Sequence, residues 1–319
     1  MKTYNWGIIS TGKIAGKFVE GLKSIPRANV YAVASRDLSK AQAFATKFNI
    51  GKTYGSYQEM INDPKVDIVY IGTPNNLHYQ DTMMCLEAGK ATLCEKPFAL
   101  NTTELNEMVS LARSKNVFLM EALWTMFLPS ISKVQELIQE GHIGTPHMIK
   151  ADFGFKAQYD PHGRLFNPEL GGGSLLDIGI YPIFLSKLLL GKPLSTTVSS
   201  IKAPTGVDLT NGIIFTHEGG KMSILSSTFA VNLETEAQIV GDEGTITLHR
   251  MFHMPTRVTL SKDGVQKEIA IDYIGNGYNY EAEEVMKCLN EGKTESSKLP
   301  LDFSLELMEI LMDVKKRTF

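Results

Sequence analysis

Cysteine is scarce: Cys85, Cys94 and Cys288 are the only three in 319 residues, and none stands in a C-x-x-C pair. An odd number of scattered thiols makes no disulfide framework and suits a reducing compartment, so a cytoplasmic setting is expected. Cys94, beside Glu95 and Lys96, reads as a small buried strand residue or, less simply, as a reactive thiol. A basic surplus is also missing, since 32 Lys and Arg against 35 Asp and Glu leave a net charge of −3. Nothing in that balance draws nucleic acid or an anionic membrane. No apolar run is read as reaching the roughly 20 residues of a bilayer span, so no membrane contact is expected. Residues 6–9 are apolar, but Ser10, Thr11 and Lys13 end that run too early for a signal peptide. Metal-ligand spacing is absent as well. His142 and His147 lie among Gly141, Gly144 and Pro146, and His249 and His253 fall in a strand and turn, so no metal is expected.

What is present suffices for two domains: 319 residues, 43% of them hydrophobic and 21% charged. In the first part, YNWGIIS, NVYAVAS, VDIVYIGT, ATLCEKP and VFLMEA read as strands, VDIVYIGT apolar throughout as a strand buried on both faces is. Between them, KIAGKFVEGLKS places Ile14, Phe18 and Leu22 on one helical face, and LSKAQAFATKF, LHYQDTMMCLEAGK and TELNEMVSLARSKN also read as helices. Ser56 with Glu59 forms a capping box, and Gly89 is placed to end a helix. Strands joined by helices of this length pair in parallel through right-handed crossovers. Residues 1–122 are therefore expected to form an α/β, doubly wound parallel (Rossmann) domain. Over 123–319 the style changes to strands with hairpin turns at 218–221 and 241–244, one long apolar helix in GSLLDIGIYPIFLSKLLLG, and helices near 278–291 and 302–317. That pattern predicts an α+β domain with an open, mainly antiparallel sheet, whose last helix packs back on the first domain.

WGIISTGKIAG, residues 6–16, runs from strand to turn to helix. The nucleotide loop G-x-G-x-x-G is spelled here with Ser10, Gly12 and Ala15. Gly12 permits a pyrophosphate to approach the amides of a helix start, and Ala15 is small enough for the helix to pack on the strand. Ser10 is the departure, but its hydroxyl can enter a turn and donate to phosphate. Ser10, Thr11, Gly12, Lys13 and Ile14 are thus candidate cofactor residues, with a purely structural turn as the alternative. A second strand about 20 residues on ends at ASRD, residues 34–37. An acidic residue there binds a ribose hydroxyl and selects NAD, whereas an arginine accommodates the 2′-phosphate. Ser35 and Arg36 hold that place, and Asp37 fits the cap of the next helix. NADP is expected over NAD, with NAD possible.

Ligands of open α/β sheets gather at the carboxyl ends of the strands. Those ends read Ser10–Gly12, Ser35–Arg36, GTPNNLH at 72–78, EKP at 95–97 and EALW at 121–124. Thr73, Pro74, Asn75, His78, Glu95 and Lys96 join the cofactor set on this ground, although turn chemistry and capping explain Thr73 and the asparagines equally well. Lys96, against Pro97, is expected to be partly desolvated with a lowered pKa, fit to give or take a proton or to hold a fixed charge. A solvated surface lysine is the plain alternative. Trp124 and Phe127 read as a wall for a ring-shaped substrate or as packing at a domain junction.

The first loop, GTPNNLHYQ, CEKPFAL, GHIGTPHMIKADFG and GGGSLLDIGIYPI, in this order over nearly the whole chain, resemble the Gfo/Idh/MocA oxidoreductases. EALWTMFLP and the tyrosine of GGGSLLDIGIY are most similar to the subgroup of dimeric dihydrodiol dehydrogenases and NADP-dependent D-xylose dehydrogenases. Ser10 replaces the commoner glycine and Met126 the subgroup's arginine, which leaves the exact substrate open. The resemblance implies a small-molecule substrate and a homodimer or higher homo-oligomer through the C-terminal sheet. It also implies that Lys96 lies beside the nicotinamide and the substrate hydroxyl. Asp177 and Tyr181 match the family's acidic and acid/base positions, and so become catalytic and substrate-binding candidates. Four residues apart on a helix, they share one face. A buried core helix with an edge tyrosine is the alternative.

The resulting expectation is an NADP-dependent dehydrogenase moving hydride between a sugar or other cyclic vicinal diol and the nicotinamide. Tyr181 removes the hydroxyl proton, although a free phenol has a pKa of about 10. A positive Lys96 would favour the tyrosinate; in the reversed assignment the lysine is the base. A nucleotide-sensing regulator on the same fold, or an aldehyde or imine reductase, are the rivals. Retention of Lys96, Asp177 and Tyr181 favours the enzyme.

Overall fold

Apolar runs that read as buried on both faces become a parallel sheet in the computed structural model, which describes residues 2–318. The elements are β1 (Tyr4–Ile9), α1 (Lys13–Leu22), β2 (Ala28–Ala34), α2 (Leu38–Phe48), β3 (Lys52–Tyr54), α3 (Tyr57–Ile61), β4 (Ile68–Ile71), α4 (His78–Glu87), β5 (Ala91–Glu95), α5 (Thr102–Lys115) and β6 (Leu119–Ala122). Strand order is β3-β2-β1-β4-β5-β6, and every pair is parallel. This is the doubly wound dinucleotide-binding order, and it reverses between β1 and β4, where the ends of the two strands open a crevice. Asp37 caps α2 by accepting the Ser39 N–H at 2.9 Å, and Ser56 caps α3 through the Glu59 N–H at 3.2 Å.

Helix α1 is fastened to this sheet by one aromatic stack. Phe18 lies parallel to Tyr70 of β4 with ring centres 3.7 Å apart, and meets the edge of Trp6 of β1 at 5.4 Å. All three rings are buried.

The second half contributes α6 (Pro129–Gln139), β7 (Pro146–Gly154), α7 (Ile180–Leu190), β8 (Ser195–Lys202), β9 (Asp208–His217), β10 (Lys221–Thr228), β11 (Ala237–Gly241), β12 (Thr245–Leu248), β13 (Val258–Lys262) and β14 (Val265–Ile269), then α8 (Tyr278–Asn290) and α9 (Leu301–Arg317). Its sheet runs β14-β13-β12-β11-β7-β10-β9-β8, antiparallel except for the β7–β10 pair. Both hairpin turns read from EGGK and GDEG are there. A third, Asp263–Gly264 with φ of 52° and 76°, has the two left-handed residues that tight hairpins favour.

By contacts the chain divides into two units: one runs to Phe127 and resumes over Ile274–Leu305, the other is Leu128–Tyr273 with the chain from Glu306 on. In the first unit α8 lies so close to α1 that a Cβ on Gly21 would sit 2.9 Å from the Tyr278 Cβ.

Two expectations about the long apolar helix need correction. Leu175–Gly179 forms a π-turn before α7, so the segment is not one regular α-helix. Moreover, Pro168–Leu190 is a helical stretch of 23 residues with mean hydropathy 1.5, long and apolar enough to cross a bilayer by length and composition. Its most apolar window is 89% buried within the structure, and α7 packs on β7 and β10. A helix enclosed on every side is apolar on every side, which accounts for the composition.

Phe18→Ala removes the ring that joins α1 to β1 and β4. It is expected to cost about 3–5 kcal/mol in urea unfolding. A loss below about 1 kcal/mol would show that the stack does not hold the helix.

Candidate active site

The β1–α1 turn differs from a glycine loop in one physical respect. Ser10 has φ of 128°, a backbone region where glycine is at ease and a side chain is strained. Its Oγ accepts the Gly12 N–H at 3.0 Å, which ties the turn to itself. Gly12 is the exposed N-cap of α1, and a Cβ there would meet only Ser10 Oγ, at 3.3 Å. Thr11 is half-buried, Lys13 exposed, and Ile14 sits with its Cγ2 3.4 Å from where a Gly72 Cβ would be. Thr11, Gly12 and Lys13 open onto a groove of about 670 Å³ whose other side carries Lys40, Lys47 and Phe48. Lys40, on the first turn of α2, belongs to no motif in the sequence.

At the end of β2, Ser35 is buried and its Oγ accepts the Asp37 N–H at 3.3 Å. Arg36 is exposed, and its charge acts on the Tyr57 hydroxyl and the Asp81 carboxyl.

Beyond β4, Thr73 donates its hydroxyl to Asp81 Oδ2 at 2.8 Å. Burial pushes the Asp81 carboxyl up to about 6, against the opposing effects of Thr73 and Arg36. Pro74 is exposed and Asn75 half-buried at the head of a short turn of 3₁₀ helix. His78 is wholly buried, with Nδ1 2.8 Å from the Pro97 carbonyl oxygen and Nε2 2.9 Å from that of Thr73. It links the turn after β4 to the turn after β5. Burial lowers its pKa, and the two carbonyls work in the other direction.

Glu95 ends β5 with its side chain buried. Oε1 accepts the Tyr70 hydroxyl at 2.6 Å and Oε2 the Lys96 N–H at 3.3 Å. Lys96 is half-buried and precedes a cis bond to Pro97. Two further acids surround this strand end. Glu121 of β6 accepts the Phe98 N–H at 3.2 Å and the Ser304 hydroxyl at 2.7 Å, and burial raises its pKa to about 7. Glu281 of α8 is fully buried, neither carboxyl oxygen meets a protein partner, and burial followed by the charge of Glu95 holds its pKa far above the ordinary value. Trp124 and Phe127 are buried, and the Trp124 ring stacks on Tyr278 at 4.2 Å. Cys94 is wholly buried with its pKa well raised by that burial, which leaves no reactive thiolate there.

In the second unit, Asp177 lies within the π-turn, a rare distortion that often marks functional positions. Its Oδ1 accepts from Arg164 Nη1 at 2.8 Å. Arg164, mostly exposed, lies in an irregular segment whose sequence carries no periodic signal. Tyr181, in the first turn of α7, is 6% exposed and packs against Phe153 at 5.6 Å and His253 at 4.9 Å. Among the described residues no group of three or more His, Cys, Asp or Glu is placed to hold a metal ion.

Of the candidate residues, those numbered up to 127 fall in the first unit, while Asp177 and Tyr181 share a helix start in the second. Comparison with known proteins places a boundary in the same region of the chain. Residues 4–123 match the Gfo/Idh/MocA oxidoreductase family, NAD-binding Rossmann fold, and residues 131–247 match the GFO/IDH/MocA C-terminal domain. The chain is 38% identical over 323 residues to trans-1,2-dihydrobenzene-1,2-diol dehydrogenase of Mus musculus, covering 98% of this chain and 96% of that one. It is 39% identical to the Xenopus laevis protein of the same name, with 97% and 96% covered. In fold it is similar to aldose-aldose oxidoreductase from Caulobacter crescentus complexed with glycerol (TM-score 0.91, 22% identity, 99% and 97% covered). A similar likeness holds to KijD10, a 3-ketoreductase from Actinomadura kijaniata, in complex with NADP and TDP-benzene (TM-score 0.90, 23% identity, 99% and 98% covered).

Asp81 offers a pH test of the β4 turn. Its folded pKa, about 6, lies above the ordinary 3.8, so the native state holds the proton more tightly than the unfolded chain. Stability from this group is therefore lost as pH rises from about 4 to about 6. Asp81→Asn is expected to be more stable than the parent at pH 8 by about 3 kcal/mol in urea unfolding, with the difference closing below pH 4. An equal difference at both pH values would rule out the buried carboxyl as its source.

Proposed function

The chain belongs to the Gfo/Idh/MocA oxidoreductase family, and from that premise we propose that it is an NADP-dependent dehydrogenase of trans-dihydrodiols or related cyclic vicinal diols and sugars. The observation that carries this reading is the identity of 38–39% with the dihydrodiol dehydrogenases over 97–98% of the chain.

The first unit has the features a dinucleotide needs. Gly12 is open at the start of α1, and the strand order reverses beside it. Ser10, Thr11, Gly12, Lys13 and Ile14 would hold the pyrophosphate, with Thr73, Pro74, Asn75, His78 and Glu95 framing the later strand ends. Ser35, Arg36 and Lys40 would meet the 2′-phosphate, an arginine being the residue that accommodates it. The bound nicotinamide supplies the hydride acceptor in oxidation and the donor in reduction.

The chain's own part is the proton. Tyr181 takes the substrate hydroxyl proton at its Oη, and the positive charge of Lys96 favours the phenolate that does so. Asp177 orients the substrate hydroxyls, held in place by Arg164. Trp124 and Phe127 supply aromatic surface for a ring-shaped substrate.

Association into a homodimer through the eight-stranded sheet fits this reading. On the outward face Ile214 and Ile224 are directly paired across β9 and β10, and they are 41% and 42% exposed. The three cysteines, all free and buried, suit a cytoplasmic setting.

Initial rates with NADP⁺ and NAD⁺ over a panel of trans-dihydrodiols, inositols and aldoses test the proposal directly. NADP⁺ should be preferred, and Arg36→Ala should raise the KM for NADP⁺ about tenfold or more while leaving that for NAD⁺ unchanged. Lys96→Met and Tyr181→Phe are each expected to lower kcat at least about 100-fold with cofactor binding retained. Wild-type turnover in both variants would defeat the acid/base assignment. Ile214→Lys with Ile224→Lys should convert a dimer to a monomer by light scattering; an unchanged mass would place the interface elsewhere.

A further inference from the structure

The helix start that carries Asp177 and Tyr181 is held from beneath by a buried acid of β9. Asp208 Oδ2 accepts three donors: the Leu175 N–H at 2.6 Å, the Asn211 side-chain amide at 2.7 Å and the Ser174 hydroxyl at 3.0 Å. The first donor is one of the amide groups that a helix N-terminus leaves unpaired, and a carboxylate there also faces the positive end of the helix dipole. Ser227 of β10 completes the set, its Oγ 3.0 Å from that of Ser174 and 3.2 Å from the Asn211 amide nitrogen.

Two backbone features are shaped around this acid. Gly173 has φ of 122°, and a Cβ there would lie 2.3 Å from Asp208 Oδ1, so only glycine fits beside the carboxylate. The second feature is a bulge. Ile201 pairs with Thr210 and Lys202 with Asp208, leaving Leu209 as an extra residue in β9. In a regular strand residues 208 and 211 point to opposite faces. Because Leu209 bulges out of the ladder, Asp208 faces the same buried side as Asn211, Ile213 and Phe215. Bulges commonly re-aim a side chain in this way.

We propose that Asp208 is a positioning residue: its carboxylate fixes the first turn of the helix at Ser174 and Leu175, and so sets the direction in which Asp177 and Tyr181 are presented. The catalytic consequence rests on the function proposed above. Asp208 itself touches neither substrate nor cofactor. It acts two residues before Asp177 and six before Tyr181 counted from Leu175, within a helix too tightly packed to bend independently. A Cβ on Gly179 would stand 3.0 Å from Ser227 Oγ.

The test combines amide hydrogen exchange with kinetics on Asp208→Ala and Asp208→Asn. The alanine variant should exchange about tenfold faster over 173–181, with peptides from β13, β14 and the first unit unchanged. Its kcat should fall about tenfold or more, since small misplacements of reacting groups are costly, while the Kd for NADP⁺ stays within twofold. The asparagine variant keeps an acceptor oxygen and should recover part of both losses. Unchanged exchange over 173–181 in the alanine variant would overturn the proposal. So would an equal rise across the whole second unit in both variants, the mark of general loosening. If the parent protein turns over no diol, the functional reading fails, and the exchange comparison still decides the role of Asp208.

Discussion

A carboxyl group taken out of water must be met by donors or keep its proton, and both units are arranged around that requirement. In the first unit Glu95 is met by the Tyr70 hydroxyl and the Lys96 amide, Asp81 by Thr73, and Glu121 by Phe98 and Ser304. Apart from the bond between Glu95 and the adjacent Lys96 amide, each of these bonds crosses from one strand end or turn to a neighbouring element. The carboxyl ends of β4, β5 and β6 are thereby cross-tied, and Lys96 stands in the middle of the ties. Glu281 meets no donor, and burial followed by the charge of Glu95 raises its pKa well above the ordinary value. In the second unit the same requirement is answered by Arg164 at Asp177 and by three donors at Asp208.

The long helix of the second unit is also held at its far end. His217, the last residue of β9, places Nδ1 3.1 Å from the Gly191 carbonyl oxygen and Nε2 3.0 Å from Ser223 Oγ. Burial lowers its pKa, which favours the neutral ring that donates on one side and accepts on the other. Strand β9 thus touches both ends of the helix, through its first residue and its last.

Much of this was legible from residue pattern. Continuous apolar runs such as VDIVYIGT announced buried parallel strands, EGGK and GDEG announced hairpins, and Asp37 and Ser56 cap the helices whose starts they mark in the sequence. The strand, turn and helix around Gly12 were legible in spite of Ser10, because the apolar run before the turn and the helical face after it fixed its context. What escaped has no local signature. Arg164 and Lys40 matter through what faces them in space, and nothing in periodicity distinguishes Glu281 from any polar residue of α8. The π-turn at Leu175–Gly179 is invisible in composition, and the bilayer-length run is hidden because Ser174, Asp177 and Ser186 interrupt its apolar residues without exposing any of them. Leu209 looks like an ordinary strand residue. Only the pairing with β8 reveals that it is one too many.

That surplus residue gives β9 a phase. On its N-terminal side the alternation of side chains is reversed relative to its C-terminal side, so the strand serves one face at Asp208 and keeps serving it from Asn211 to His217. Drawn into the regular ladder, Leu209 would turn Asp208 to the opposite surface, beside Gly212 and Ile214; excised, it would leave Asp208 two residues before Asn211 and still on the buried face. The bulge itself, and not the mere presence of one more residue, therefore separates an acid that steadies a helix from an acid on the outward surface. The strand could lose Leu209 and keep the acid in its place, but it could not straighten around that residue.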